Sequence, residues 1–142
     1  MNVPRNLGLR ALACSLAVSA LGCAEPGPRT AEVAANATYE DVSLADLVGD
    51  PARYDRRLVR VSGVSQIQYG GSSLWANEQD KEGGKFQKGV WLDIRWPLTE
   101  EIRGLTGQWV VVEARFDRYS RGRTGCCRAM LADIHAIRRA TP

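Results

Sequence analysis

Histidine is nearly missing from these 142 residues, with His135 the single instance. One imidazole cannot serve both a nucleophile–base arrangement and a metal, and the chain also lacks a glycine-rich phosphate loop and a serine in a nucleophile elbow. No catalytic residue, metal site or cofactor is therefore expected. Long apolar runs are missing as well. The most apolar stretch, Ala11 to Gly22, is shorter than the roughly 20 residues that span a bilayer as a helix. Cysteine is sparse, and of the four present Cys14 and Cys23 fall near the start, leaving Cys126 and Cys127 as the adjacent pair in the rest of the chain. There is no internal repeat that would indicate a solenoid or an array.

What is present begins with Arg5 and Arg10, followed by the apolar stretch and small residues up to Cys23. A short positive end, an apolar centre and a small-residue cleavage region have the form of an export signal, an address to be set aside in reasoning about the fold. Through Ala20-Leu21-Gly22-Cys23 it resembles the signals of bacterial lipoproteins. Ala20 stands where that family most often has Leu. The resemblance implies a signal peptide over residues 1–22, lipidation of Cys23 as the first mature residue, and anchoring without a membrane-spanning helix. With Ala24 following, the family pattern leans towards an outer membrane facing the periplasm. The alternative is an ordinary secretory signal cut near Ala24.

Setting the signal aside changes the charge. Arg5 and Arg10 belong to it and all sixteen acidic residues lie beyond it, so the net charge of +3 falls to about +1. Backbone binding to nucleic acid rests on a concentrated positive field, which makes nucleic acid an unpromising partner. Arginine clusters remain, with Arg56, Arg57 and Arg60, then Arg115 to Arg128, then Arg138 and Arg139. Anionic lipid headgroups are one counterion for them, and solvent is the plainer one.

Residues 23–37, small and carrying Pro26 and Pro28, read as a flexible tether. Residues 38–139 suffice for one small core, with 140–142 as a tail. Ser43 and Asp46 fit a helix cap ahead of Leu44, Leu47 and Val48, with Gly49 and Pro51 as stops. A strand over Arg57–Ile67 alternates with Val59 and Val61 on one face, and Gly63 marks a bend by which one strand can serve two layers. Gly70-Gly71 turns into a second strand, Ser73–Asn77. The polar residues Glu78–Lys85 read as a mobile connection. In Gly89–Trp96, Val90, Leu92, Ile94 and Trp96 face inward. Pro97–Leu105 suits a short helix, Trp109–Phe116 directs Val110, Val112, Ala114 and Phe116 to the core, and Met130–Arg138 directs Ala132, Ile134 and Ala136 there.

The order β-β-β-α-β-β behind an extra helix predicts an all-β fold with minor helix, the five-stranded OB-like Greek-key barrel. The blocks Asp50–Gly63, Val90–Ile94 and Leu105–Ala114 also resemble small bacterial envelope domains of OB-like form. Arg56 departs from that family's usual glycine, and Gly122-Arg123-Thr124-Gly125 from its Gly-His-Met-like run. The resemblance implies a fold and brings no catalytic residue or ligand.

An OB barrel binds single strands or sugars by stacking on exposed aromatics backed by positive charge. Arg60, Trp75, Trp91, Arg95 and Arg115 are the candidate outward face, with Tyr69 and Tyr119 at loop ends. The bland reading is packing and barrel closure, which also suits Trp96 and Trp109 beside turns. Asp93 and Glu113 facing outward together would suggest paired carboxylates, but Arg95 and Arg115 at matching offsets convert them into a cross-strand charge ladder. Cys126 and Cys127 could form a vicinal disulfide, stay reduced, or crosslink two chains. Arg123 and Arg128 nearby would lower a thiol pKa. His135 beside Asp133 reads as a surface ion pair. The expectation is a noncatalytic envelope lipoprotein whose barrel binds a protein, glycan or lipid neighbour. A purely structural domain, a thiol redox or crosslinking role, and single-strand binding are the alternatives, and the oligomeric state is left open.

Overall fold

The computed structural model describes residues 37–140 apart from 96, so the stretch expected to be an export signal, Cys23 and most of the expected tether lie outside the described residues. A two-residue strand β1 (Glu40–Asp41) leads into two short helices, α1 (Leu44–Gly49) and α2 (Pro51–Tyr54). Ser43 caps α1 as its sequence suggests, with its Oγ accepting the Asp46 amide at 3.0 Å and donating to the Asp46 carboxylate at 2.6 Å. Six residues of helix hold only by packing. Leu44 and Leu47 accordingly sit in the core.

The sheet comprises β2 (Leu58–Gln66), β3 (Ser73–Trp75), β4 (Val90–Leu92), β5 (Trp109–Asp117) and β6 (Ala129–Arg139). It runs β1-β2-β3-β4-β6-β5 and closes through β2 against β5. The result is a closed five-stranded mixed barrel of OB-like Greek-key order, with β4 and β6 parallel and β1 added alongside β2. β2 serves both sides, pairing Leu58–Val64 with β5 and Val64–Gln66 with β3. Gly63 stands at the changeover, where a Cβ would lie 2.5 Å from the Trp75 carbonyl oxygen. That approach requires glycine.

Val59, Val61, Val110, Val112, Ala114 and Phe116 are all fully buried, the inward set expected from alternation. Thr99 caps the plug helix α4 (Glu100–Arg103) through the Ile102 amide. Three segments depart from the sequence reading. Glu78–Lys88 is ordered as α3 (Glu78–Glu82) and a 3-10 turn (Phe86–Lys88), because Asn77 caps the helix and the buried Asp80 takes Lys85 at 2.9 Å and Lys88 at 3.4 Å. Strand β4 stops at Leu92, leaving Ile94 half-buried and Arg95 exposed. In β6 the alternation slips: Glu113 faces Ala136 while Arg115 faces Ala132, and Asp133 sits at φ 46° in the extra length. Ala129 and Leu131 lie on the core before the slip and Ile134 and Ile137 pack on it after; of the expected row Ala132 is buried and Ile134 packs inward, while Ala136 is half-exposed and yields its place to Ile137.

Candidate functional site

The long strands β2, β5 and β6 carry the first group of candidate residues. Arg60 bonds Glu113 at 2.9 Å and Asp41 at 3.3 Å, and Arg138 bonds the same Glu113 oxygen at 3.0 Å. The Arg60 guanidinium, with Arg138 adding to it, holds the Glu113 carboxyl below its usual range despite partial burial. Arg115 places two nitrogens on Asp133, at 2.7 and 2.9 Å. A ladder of charges does cross these strands. Register decides its partners: Arg60 lies opposite Glu113, and Arg115 pairs with Asp133, in place of the ladder of Asp93 and Glu113 with Arg95 and Arg115 expected from offsets. Asp133 being taken, His135 meets the Tyr39 hydroxyl instead, its ring edge-on to the tyrosine at a centroid distance of 5.8 Å.

Trp75 and Trp91 lie on the opposite side. Both are candidates for the open outward face; both are buried, at 2% and 6% exposure, as the packing alternative has it, although neither belongs to the central core cluster. The strands that carry them are three residues long. Such a wall cannot cover itself, and loops do so. Phe86 packs on Trp75 at 6.0 Å between ring centroids, while the Trp75 Nε1–H donates to the Ser73 hydroxyl at 2.9 Å. Over Trp91 lies the loop 118–128, where Gly122 has φ 72° and a Cβ would fall 2.0 Å from the indole. The loop is pinned at its start by Asp117, which accepts from the Tyr119 and Ser120 amides, and at its end by the Arg128 amide on the Gly89 carbonyl. The outward set thus divides three ways, with Arg60 and Arg115 in the ladder, Trp75 and Trp91 under loops, and Arg95 beyond the end of β4.

The loops leave a cleft of about 440 Å³ floored by Trp75 and Trp91. Tyr69 and Phe86, 83% and 52% exposed, stand in its walls. Gln66, Gln68 and Thr124 supply amide and hydroxyl groups, and Lys81, paired with Glu78, is the charged side chain among the lining residues. This is the position, beside the β3–β4 face and between the 67–72 and 118–128 loops, that OB barrels use for ligands. Gln66, Gln68, Lys81, Phe86 and Thr124 escaped the sequence reading. The available signal was a lone phenylalanine in an otherwise polar, glycine-bearing connection. A larger groove of about 760 Å³ runs between α4 and the far half of β6, lined by Arg95, Asp93, Glu101, Asp133 and isoleucines. His135 also lines it, and among the described residues no tryptophan, tyrosine or phenylalanine does.

Cys126 also lines the aromatic cleft. Its thiol lies 3.1 Å from that of Cys127, and both are free. Cys127 is buried, and burial, reinforced by the neighbouring Cys126 sulfur, pushes its thiol up to about 12, opposite to the lowering expected from nearby arginines. Among the described residues no group of three or more histidine, cysteine or carboxylate side chains is placed to hold a metal, and no helix is long and apolar enough to cross a membrane.

No family model matches the chain, and no curated protein matches it significantly. Among solved structures, it is similar to a "putative aspartyl-tRNA synthetase" from Leishmania major Friedlin, with a TM-score of 0.42 and 12% identity. That alignment covers 73% of this chain and spans 21% of the other.

Proposed function

We propose that the chain is an exported, noncatalytic binding domain, held to a membrane through lipidated Cys23, that takes a neutral envelope glycan into the aromatic cleft. The observation carrying the ligand class is the cleft's lining: exposed rings of Tyr69 and Phe86 beside an indole floor, amide and hydroxyl groups, and one cation already paired. Rings stack on the faces of a sugar, amides and hydroxyls bond its hydroxyls, and nothing there demands an anion. Export and anchoring rest on Arg5, Arg10, the apolar stretch and Ala20–Cys23.

Titration of the protein with neutral envelope oligosaccharides, followed by NMR shifts of the Trp75 and Trp91 indoles, tests the cleft. Saturable shifts that weaken in Tyr69→Ala and Phe86→Ala are expected. Single-stranded oligonucleotides form the contrasting arm, and binding that falls steeply with salt would transfer the cleft to nucleic acid. The burial of Trp75 and Trp91 favours a second reading, a structural domain with no small ligand, whose signature is no shift with either class. Mass spectrometry of membrane-extracted protein tests the anchor, for which an unmodified Cys23 is the defeating result.

A further inference from the structure

Adjacent cysteines are often independent, one inward and inert and the other solvated. Here both thiols converge, 3.1 Å apart, in the loop that walls the cleft. Cys127 is 2% exposed, too enclosed for a bulky oxidant to reach, whereas Cys126 is partly exposed and borders the cleft. The two sulfurs therefore have the division of labour of a dithiol couple, an attacking sulfur in reach of a co-reactant and a resolving sulfur shielded behind it.

We propose that Cys126 and Cys127 form a reversible oxidation site that accepts a small-molecule disulfide through the cleft and closes to an intramolecular disulfide. The Cys126 thiolate attacks one sulfur of the incoming R–S–S–R, forming a mixed disulfide and releasing RS⁻. The Cys127 thiol passes its proton to that departing thiolate and its sulfur attacks Cys126 Sγ, breaking the mixed disulfide and releasing the second RS⁻, which takes up the proton that Cys126 had lost. Two protein thiols are oxidised to one disulfide and one small disulfide is reduced to two thiols. Closing the ring brings the sulfurs from 3.1 Å to bonding distance, about 2.05 Å. This site rests on the cysteine geometry and is independent of any glycan.

The full chain is equilibrated with glutathione at increasing oxidised-to-reduced ratio, alkylated, cut with trypsin and read by mass spectrometry. Cleavage after Arg123 and Arg128 releases Thr124–Arg128, which carries Cys126 and Cys127 without Cys14 or Cys23. The expected result is loss of both alkyl groups from this peptide and a mass lower by two hydrogens than the reduced form, reversed by dithiothreitol. In Cys127→Ser the same treatment should trap glutathione on Cys126, whereas Cys126→Ser should give no adduct in the native protein. Should Cys127→Ser fail to fold, the unaltered protein still decides. A stable glutathione adduct there, a link between two chains through this peptide, or full alkylation at every ratio would overturn the proposal.

Discussion

The two walls of this barrel are finished by different means. Where β2, β5 and β6 run together, the strands are nine to eleven residues long and their own side chains complete the wall, apolar residues inward and a ladder of ion pairs outward. Where β3 and β4 meet, each strand has three residues, and the outward tryptophans are sealed by loops that come back over them. The first wall satisfies its charges within itself. The second depends on loops, and loops that cover a wall incompletely leave a cleft. On the proposed reading, recognition falls to the wall with less regular structure, a common division between scaffold and site.

The sharpest way to break this comparison is to remove the tryptophan under the loops. Trp75 lies outside the central core, yet it is 2% exposed, packs on Phe86 and bonds Ser73. Trp75→Ala is expected to cost about 3–5 kcal/mol, the range of a fully buried large aromatic and similar to Phe116→Ala in the opposite wall. Equilibrium denaturation of both variants measures it. A loss under about 1 kcal/mol for Trp75→Ala would mean that the loops merely rest on the wall. Next comes the loop contact itself. Gly122→Val meets the Trp91 indole and a left-handed backbone at once, and should cost about 1–3 kcal/mol while raising quencher access to tryptophan.

These two sites also mark what can be read from the residues. Alternation correctly assigns Val110, Val112, Ala114 and Phe116 to the interior because a barrel wall has only two faces. It also puts Trp75 and Trp91 on the other face, but it carries no information on whether a distant loop covers that face. The signal for coverage was Gly122, legible as covering only once Trp91 is known to lie beneath it. The charge ladder was foreseeable as a pattern, whereas its partners were not, since Arg60 reaches Glu113 through a register set by the whole β2–β5 pairing. Helix α3 was missed because the charges of Glu78–Lys85 look solvated in sequence, and only folding brings Lys85 and Lys88 onto Asp80. The slip in β6 has no local marker beyond Asp133, a residue type that tolerates positive φ.

On the self-satisfied wall effects should be smaller and should depend on pH. Glu113 is largely covered and takes two arginines, so Glu113→Gln is expected to cost about 1 kcal/mol near neutral pH. Because folding lowers its carboxyl pKa, the stabilisation is present above the ordinary value of 4.5 and is lost as pH falls through the folded value. Denaturation between neutral and acid pH should therefore show the two proteins converging at low pH. A difference that stays constant throughout would assign the effect to packing and remove charge from the account of this wall.

The smallest effect should come from Asp133, where charge and backbone can be separated. Its carboxylate holds both nitrogens of Arg115, but the two side chains are 54% and 36% exposed, so the pair is well screened. Its backbone, at φ 46°, adopts the left-handed conformation where β6 slips register. Asn tolerates that conformation as Asp does, so Asp133→Asn removes the charge alone and is expected to change stability by no more than about 0.5 kcal/mol. Asp133→Val removes the charge and also forces a β-branched residue into a region it avoids, for an expected loss of about 1–2 kcal/mol. Paired thermal melts at low and high salt distinguish the contributions: the Asn difference should shrink with salt and the excess cost of Val should persist. If Asn proves as damaging as Val, the ion pair itself holds the slipped register, and this wall would depend on its surface contacts as the other depends on its loops.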